Sequence, residues 1–309
     1  MNERNDLARE NTTEIATTAL QPMSFVDILD GMFSLYRSHF RLFFGIIAVY
    51  LVFGFVLDHV AMYALMGSSP IASLMISILT SIVSYLISLL VAAGLIYASV
   101  QVYLGRDITS QAALKQGWRR FLPFLGSSIL WGVVVGAFLF LPIISVLIGT
   151  LLSIHWSLNL LIVVVCVPFA IYFSVRLGLY TLPVLLEETT AVNALRRSTE
   201  LVKGTWWRVF GIMLAISVIV FMIVFILLTS FIVLVMVTGA EDATLLETLT
   251  RLFVSTPDVT GWLLYSGRTL IILTIAGLIM PISTIGSVLL YFDLRIRKEA
   301  LDIEMQVTD

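Results

Sequence analysis

Arg176 is the residue of this chain whose setting most plainly demands a chemical partner. It closes an apolar run at Ser174-Val175-Arg176-Leu177-Gly178, and a further mostly apolar stretch, 177–185, separates it from the acidic pair Glu187 and Glu188. A guanidinium at the centre of a membrane costs roughly 2.5–3.5 kcal/mol to insert, and less near a helix end. Two arrangements relieve that cost. The stem can snorkel to phosphate headgroups, or the guanidinium can bind an anionic headgroup or pair with a carboxylate. Asp293 is the natural carboxylate partner and Glu187 the alternative. Arg196, Arg197, Arg295, Arg297 and Lys298 add positive charge near these acids. They suit contact with anionic headgroups at a cytoplasmic leaflet, or they serve only to set topology.

Catalysis finds few candidates. Glu187, Glu188, Asp293 and Arg176 are the only groups that could converge, and no histidine lies near the two glutamates in sequence. The H-E-x-x-H, G-x-S-x-G, P-loop and Rossmann glycine patterns are absent. The single cysteine, Cys166, excludes a disulfide within one chain, and His39, His59 and His155 are too scattered to form a Cys/His ligand set. A net charge of -2, without a basic block or an aromatic RNA-binding motif, gives no reason to expect a nucleic-acid partner. The expectation is a non-enzymatic protein with no cofactor and no metal. Proton-driven transport would place acids deep in the apolar segments, and those segments are almost free of them.

The elements that must hold these residues are membrane helices. Hydrophobic residues make up 59% of the 309-residue chain and charged residues 12%, against about 25% charged in a soluble domain. A spanning helix needs about 20 mostly apolar residues. Six segments qualify: 42–65, 74–104, 121–152, 158–177, 209–237 and 269–294. The second and third exceed the minimum, so they tilt or end in the headgroup region. Lipid offers the backbone no hydrogen-bond partners, so each span must be helical. The fold class is therefore all-α, with six transmembrane helices.

Of the 18 lysines and arginines, all but Arg251 and Arg268 fall on the side of the termini and of the connections between paired spans. The positive-inside rule then puts both termini in the cytoplasm. On that side three amphipathic helices are expected. The first, 25–40, opens on Ser24 and Asp27 in capping-box spacing. The second, 111–120, has Ser110 as its N-cap. The third, 191–203, turns Val192, Leu195, Ser198, Leu201 and Val202 to one face. The first and third units align without gaps, with Val26 on Val192, Leu29 on Leu195, Phe40 on Trp206, Phe44 on Phe210 and Gly45 on Gly211. The middle unit fits with about one turn deleted. The architecture thus reads as three parallel repeats of amphipathic helix plus helical hairpin. Residues 1–23 read as a disordered cytoplasmic tail, 24–300 as a single six-helix domain and 301–309 as a second tail. Leu245, Leu246, Leu249, Leu252 and Phe253 form an apolar stripe that suggests a helix on the outer leaflet. Gly132 and Gly136 form a G-x-x-x-G in the third span, and Pro142, Pro168, Pro183 and Pro281 are places where kinks can open a cavity.

Two stretches carry a family likeness. One is Leu182-Pro183-Val184-Leu185-Leu186-Glu187, followed by Asn193-Ala194-Leu195-Arg196-Arg197-Ser198, Leu201-Val202-Lys203-Gly204 and Trp206-Trp207-Arg208-Val209-Phe210-Gly211. The other is Leu290-Tyr291-Phe292-Asp293-Leu294-Arg295-Ile296-Arg297-Lys298-Glu299. Together they resemble the membrane domain of some bacterial glycerophosphoryl diester phosphodiesterases and related stand-alone bacterial membrane proteins of unknown function. The likeness covers about the last 120 residues and weakens over the first 150. It implies a multi-helix bundle in the bacterial inner membrane and does not import the enzyme, whose barrel needs about 250 residues. Arg196, Arg197, Arg295, Arg297 and Lys298 match the family pattern, whereas Ala300 stands where glycine is expected. The expected function is a lipid-associated accessory or scaffold protein of the cell envelope, in contact with anionic membrane lipids and with a protein partner or a second copy of itself. The alternative is a transporter component for a small amphipathic or lipid-like substrate, which needs a polar cavity reaching midplane near Arg176.

Overall fold

The computed structural model describes residues 22–151, 156–187, 189–238 and 259–307. The polar tail over 1–21, His155, Glu188 and the apolar stripe Leu245 to Phe253 lie outside the described residues.

Helix formation follows local chemistry. α1 (Phe25–Ser38) begins with the expected capping box: Ser24 Oγ accepts from the Asp27 N–H at 3.2 Å, and Asp27 Oδ2 accepts from the Ser24 N–H at 2.7 Å. The hydroxyl and then the backbone N–H of Ser24, both bonded to the Asp27 carboxylate, favour its ionised form and lower its pKa. α2 (Phe40–Leu65) follows at once. α3 (Pro70–Tyr103) starts with Ser69 as N-cap and a proline at the first helical position, where no donor is lost. Gly105, at φ 70°, then lets the chain turn into α4 (Ser110–Arg119). The N-cap of α4 is Thr109, whose hydroxyl accepts from the Ala112 N–H at 3.3 Å. Ser110, the expected cap, is one residue inside the helix, facing Gly45.

α5 (Phe121–Leu151) and α6 (Trp156–Leu177) form the second hairpin. The apolar residues after Arg176 are not a plain extension of that span. They turn through 178–180 into α7 (Thr181–Leu186), where Leu182, Pro183, Val184 and Leu185 are buried. α8 (Ala191–Val202), a turn at Gly204 with φ 85°, α9 (Trp206–Thr238) and α10 (Val259–Val307) complete the chain. The sixth span was expected to stop at Leu294. Instead α10 runs on to Val307, because 295–307 contains good helix formers and neither glycine nor proline. Among the described residues six helices are long and apolar enough to cross a membrane, and the architecture is that of an all-α, six-span membrane protein.

The order amphipathic helix, long helix, long helix occurs three times: α1–α2–α3, α4–α5–α6 and α8–α9–α10. α1, α4 and α8 sit at one end of the bundle, hereafter the basic face, each packed on a long helix rather than projecting away from it. α1 buries Ile28 and Met32 against α10, and α8 buries Ala194, Ser198, Leu201 and Val202. α4 makes the closest approach. A Cβ on Gly117 would lie 3.0 Å from the backbone nitrogen of Gly94 in α3, so the two helices meet backbone to backbone.

The core is concentrated toward the basic face. It runs through Leu89–Val100 of α3, Phe43, Ile46 and Ile47 of α2, and Ile279–Leu294 of α10. Toward the opposite face the spans expose Val52, Phe53, Ile71, Met75, Phe140, Leu147, Leu161 and Phe221. Lipid tails cover such surface without penalty, so helix contact depends on shape and polar bonds rather than on burial. A Cβ on Gly132 would meet nothing within 4 Å, and one on Gly136 would meet only Phe140 of its own helix, so among the described residues this G-x-x-x-G joins no helices. Close approaches occur instead at Gly54 against Leu273, Gly277 against Ile47 and Gly286 against Ile216.

Candidate functional site

Asp293 is fully buried near the basic face and has four donors. Its Oδ1 accepts from Arg297 Nε at 2.9 Å and from the Met23 backbone N–H at 2.9 Å. Its Oδ2 accepts from Arg208 Nε at 3.1 Å and Nη2 at 3.0 Å. Both arginines reach on to the Met23 carbonyl, Arg208 Nη2 at 2.7 Å and Arg297 Nη2 at 2.8 Å. A carboxylate has about four lone-pair positions, so this one has none left for a ligand. The cluster is a clamp that ties the segment before α1 to α9 and α10. The pairing of Arg176 with Asp293 expected from sequence does not occur. Arg208 sits in the first turn of α9, immediately after Trp206-Trp207, and the α9–α10 packing brings it beside Asp293 in Arg176's place.

Glu187 forms a second junction. Tyr291 of α10 donates its hydroxyl proton to Oε1 at 2.6 Å, and Arg197 Nε of α8 lies 3.4 Å from Oε2. Lys298 donates to the carbonyls of Glu200 and Lys203, satisfying acceptors at the end of α8. Arg196 pairs at 3.7 Å with Glu200 on the same helix, both largely exposed, and such a pair contributes little. Arg295 lies on α10, four residues beyond Tyr291.

Ser198 does something its place on an apolar stripe did not suggest. Fully buried, its hydroxyl donates to the Arg176 carbonyl at 3.0 Å and accepts from the Leu179 N–H at 3.2 Å. It therefore closes the end of α6 where the chain leaves the helix. Ser198→Ala leaves both groups buried and unpartnered, at about 1–3 kcal/mol. The expected outcome is a lower midpoint of thermal unfolding in detergent, whereas Thr199→Ala on the exposed side of α8 should leave it nearly unchanged.

Arg176 itself points along α6. Its Nη1 donates to the Tyr172 hydroxyl at 2.8 Å, and its guanidinium lies 5.7 Å from that ring's centre. Among the described residues it has no ion-pair partner. Tyr172 stacks on Trp206 (5.9 Å between centres), and Trp206 stacks on Phe210 (5.1 Å). Pro168, Phe169, Tyr172, Trp206 and Trp207 line an open aromatic groove between α6 and α9 beside this arginine. On the other side of α6, a largely apolar cleft of about 500 Å³ is lined by Trp131, Tyr180, Phe210, Met213 and neighbouring side chains. Cys166 is buried in α6.

A third space lies away from all of these. α2, α3 and α10 enclose about 330 Å³ around Asp58, Arg268, Thr269, Thr80, Ser81 and Ser84. Asp58 Oδ2 accepts from Thr269 Oγ1 at 2.8 Å. One turn away, His59 Nε2 pairs with Ser266 Oγ at 2.9 Å, fastening α2 to α10. The polar cavity required by the transporter alternative was expected near Arg176, and the cavity present is in a different part of the bundle. Nothing in the sequence marks Asp58 and Arg268 as neighbours, because their meeting depends on how α2 and α10 pack. Among the described residues no group of three or more His, Cys, Asp or Glu side chains is placed to hold a metal ion.

No curated protein and no solved structure matches the chain. The model of one family does match, over residues 45–290, and it names no activity and no phosphodiesterase membrane domain. That span takes in α2 through Leu290 of α10, so the chain belongs to the family described as Domain of unknown function (DUF7847).

Proposed function

We propose that this is a non-enzymatic, lipid-associated accessory or scaffold protein of the bacterial inner membrane, with its basic face and both termini in the cytoplasm. The orientation rests on the positive-inside rule, since the basic side chains of α4, α8 and the end of α10 gather on that face. The three-part order of elements is read as a parallel repeat, supported by α2, α5 and α9 beginning at Phe40, Phe121 and Trp206, each five residues before a glycine of the aligned series Gly45, Gly126 and Gly211. A distant kinship with phosphodiesterase membrane domains is part of the same proposal.

The observation that carries the reading is Arg176. It stands beside the aromatic groove between α6 and α9, bonded to the groove residue Tyr172, and among the described residues it is engaged only by the hydroxyl and ring of that tyrosine. An anionic phospholipid fits this place: its phosphate on the guanidinium, its glycerol level with Trp206 and Trp207, and a tail along Phe169 and Pro168. Tryptophans favour that depth, and basic groups at the cytoplasmic leaflet favour anionic lipid by about 1 kcal/mol each. By contrast, the guanidiniums of Arg208 and Arg297 are already committed to Asp293.

Native mass spectrometry of the protein purified in mild detergent tests this. Wild type should retain an anionic phospholipid, and Arg176→Ala should lose most of it while the helical circular dichroism is unchanged. Equal retention by Arg176→Ala would remove the groove as a lipid site. A stoichiometric protein partner in place of lipid would leave the scaffold role without the lipid.

A further inference from the structure

The cleft between α5, α6 and α9 is a separate space from the aromatic groove. Val167, Ala170, Ser174 and Gly178 line it, recurring three and four apart on the side of α6 opposite Arg176. From Val167 to Gly178 this wall runs roughly 16 Å along the helix. Phe138 of α5 stacks on Phe169 and Phe173 of α6. Trp131, about 10 Å nearer the basic face, therefore falls level with Gly178, at the end of the cleft that points to that face. Leu139, Val167, Ile171 and Leu214 line the cleft and are also exposed, so it opens sideways toward lipid rather than water. At about 500 Å³ it falls within the range for small-molecule sites.

The polar groups of the lining gather at the end nearer the basic face, and their hydrogen-bonding capacity is unspent. The indole N–H of Trp131 is buried and has no acceptor. Tyr180 stacks on that indole, 6.1 Å between ring centres, and is only 8% exposed. The hydroxyls of Tyr180, Ser174 and Thr181 also have no hydrogen-bond partner among the described residues. Ser217, farther along the cleft, has no such need, because its hydroxyl donates to the Met213 carbonyl at 2.8 Å. Donors left without a partner in apolar surroundings are costly, so the polar end calls for an acceptor. The cleft has no charged side chain in its lining, so an anionic acceptor would be buried uncompensated, and a neutral carbonyl is the group that fits. Thr181 opens α7, whose next four residues are buried, so the chain packs over this end and leaves no place for a phosphate headgroup. The end is also narrow. A Cβ on Gly178 of α6 would lie 3.0 Å from Met213 Cε of α9, so a hydrocarbon chain enters where a flat ring does not.

We infer that this cleft binds a neutral acyl ester of the membrane, a diacylglycerol-type lipid without a charged headgroup. Its ester carbonyls accept from the free donors around Tyr180, and a chain lies along the apolar walls toward Val167. Ester groups of a leaflet lie just inside its headgroups, and the polar end of the cleft lies at the matching depth, where α6 ends. The lipid enters sideways from the leaflet of the basic face and does not have to cross the membrane. The inference does not depend on anionic lipid at Arg176, which faces the opposite side of α6.

The test uses the full chain in nanodiscs of a diether phosphatidylcholine, a host with neither ester carbonyls nor net charge. Diacylglycerol is doped into one set of discs and the dialkylglycerol of equal chain length into another, with retention read by native mass spectrometry. Diacylglycerol should be retained stoichiometrically, and its dialkyl analogue, which lacks the carbonyls, about fivefold less, the loss of a neutral hydrogen bond. Tyr180→Phe, which removes the hydroxyl and keeps the ring, should weaken retention of diacylglycerol by a similar factor of about five. Ser174→Phe, which fills the polar end, should abolish it. The inference is overturned if diacylglycerol is not retained, if the dialkyl analogue is retained equally, if the Ser174→Phe protein retains as much as wild type, or if a lipophilic quinone doped at the same level displaces the diacylglycerol. Should Ser174→Phe not fold, Tyr180→Phe and the dialkyl comparison decide the matter. The host contains no anionic lipid, so failure here leaves the Arg176 site standing, and failure of that site leaves this one.

Discussion

Asp293→Ala is expected to destabilise the protein by about 3 kcal/mol and to release the segment before α1 from the bundle. Four hydrogen bonds end on this carboxylate. Its removal leaves Arg208 and Arg297 facing each other over the Met23 carbonyl with no negative charge between them. Breaking a buried ion pair by deleting one partner costs roughly 3–5 kcal/mol. The lower end applies here, because the two arginine side chains are 29% and 34% exposed and solvent screens part of their repulsion. The measurement is the thermal unfolding midpoint in a fixed detergent, with protease sensitivity near Met23 as a local readout. The double variant Asp293→Ala/Arg208→Met should recover part of the loss, since it also removes one of the two opposed cations. If the double variant falls by the sum of the single losses, Arg208 and Asp293 do not act as a pair.

The second large effect is expected at Gly117. Gly117→Leu places a side chain where the Cβ alone already lies 3.0 Å from the Gly94 nitrogen and 3.2 Å from the Ala93 Cβ. Backbone cannot move aside as a flexible side-chain tip can, so α4 must lift from α3. Overpacking of a fitted contact costs about 1–3 kcal/mol, and the absence of any yielding neighbour puts this case near the upper figure. Proteolysis within 106–120 should accelerate and the unfolding midpoint should fall. Gly132→Leu, at a site with nothing within 4 Å, is the matched control and should be nearly silent. A midpoint for Gly117→Leu equal to that of the control would show that α4 does not pack on α3 at this glycine. Trp118, 65% exposed beside this contact, turns away from α3 and should tolerate substitution.

The six spans were legible because lipid makes a local demand. Every residue of a crossing segment must be apolar enough and must satisfy its own backbone, so the signal lies in consecutive residues. The observed helices accordingly begin and end within a few residues of the expected segments, apart from α10, which begins ten residues earlier, at Val259, and runs on beyond Leu294. The amphipathic helices were legible for a similar reason: one turn of helix puts residues three and four apart on one face. The capping box at Ser24 and Asp27 needs only three residues. α7 was missed because its four buried apolar residues carry no such period.

The clamp was legible only in part. Asp293 and Arg297 are four apart on α10, a spacing any helix brings together. Arg208, 85 residues from Asp293, is not marked as their partner by anything in its surroundings, and Arg176 was an equally apt choice. The same holds for Ser198, whose apolar face suggested packing, and for Asp58, which reads as the flank of a loop until α10 lies beside it. What the order of residues determined alone was that this protein is helical, lies in the membrane and turns its basic side chains to one face, because each of these depends on neighbours in the chain. Which charges meet, where the helices part and what the gaps between them can hold were decided by the packing of α2, α9 and α10, since those contacts join residues far apart in sequence and local physics offers several partners of equal merit.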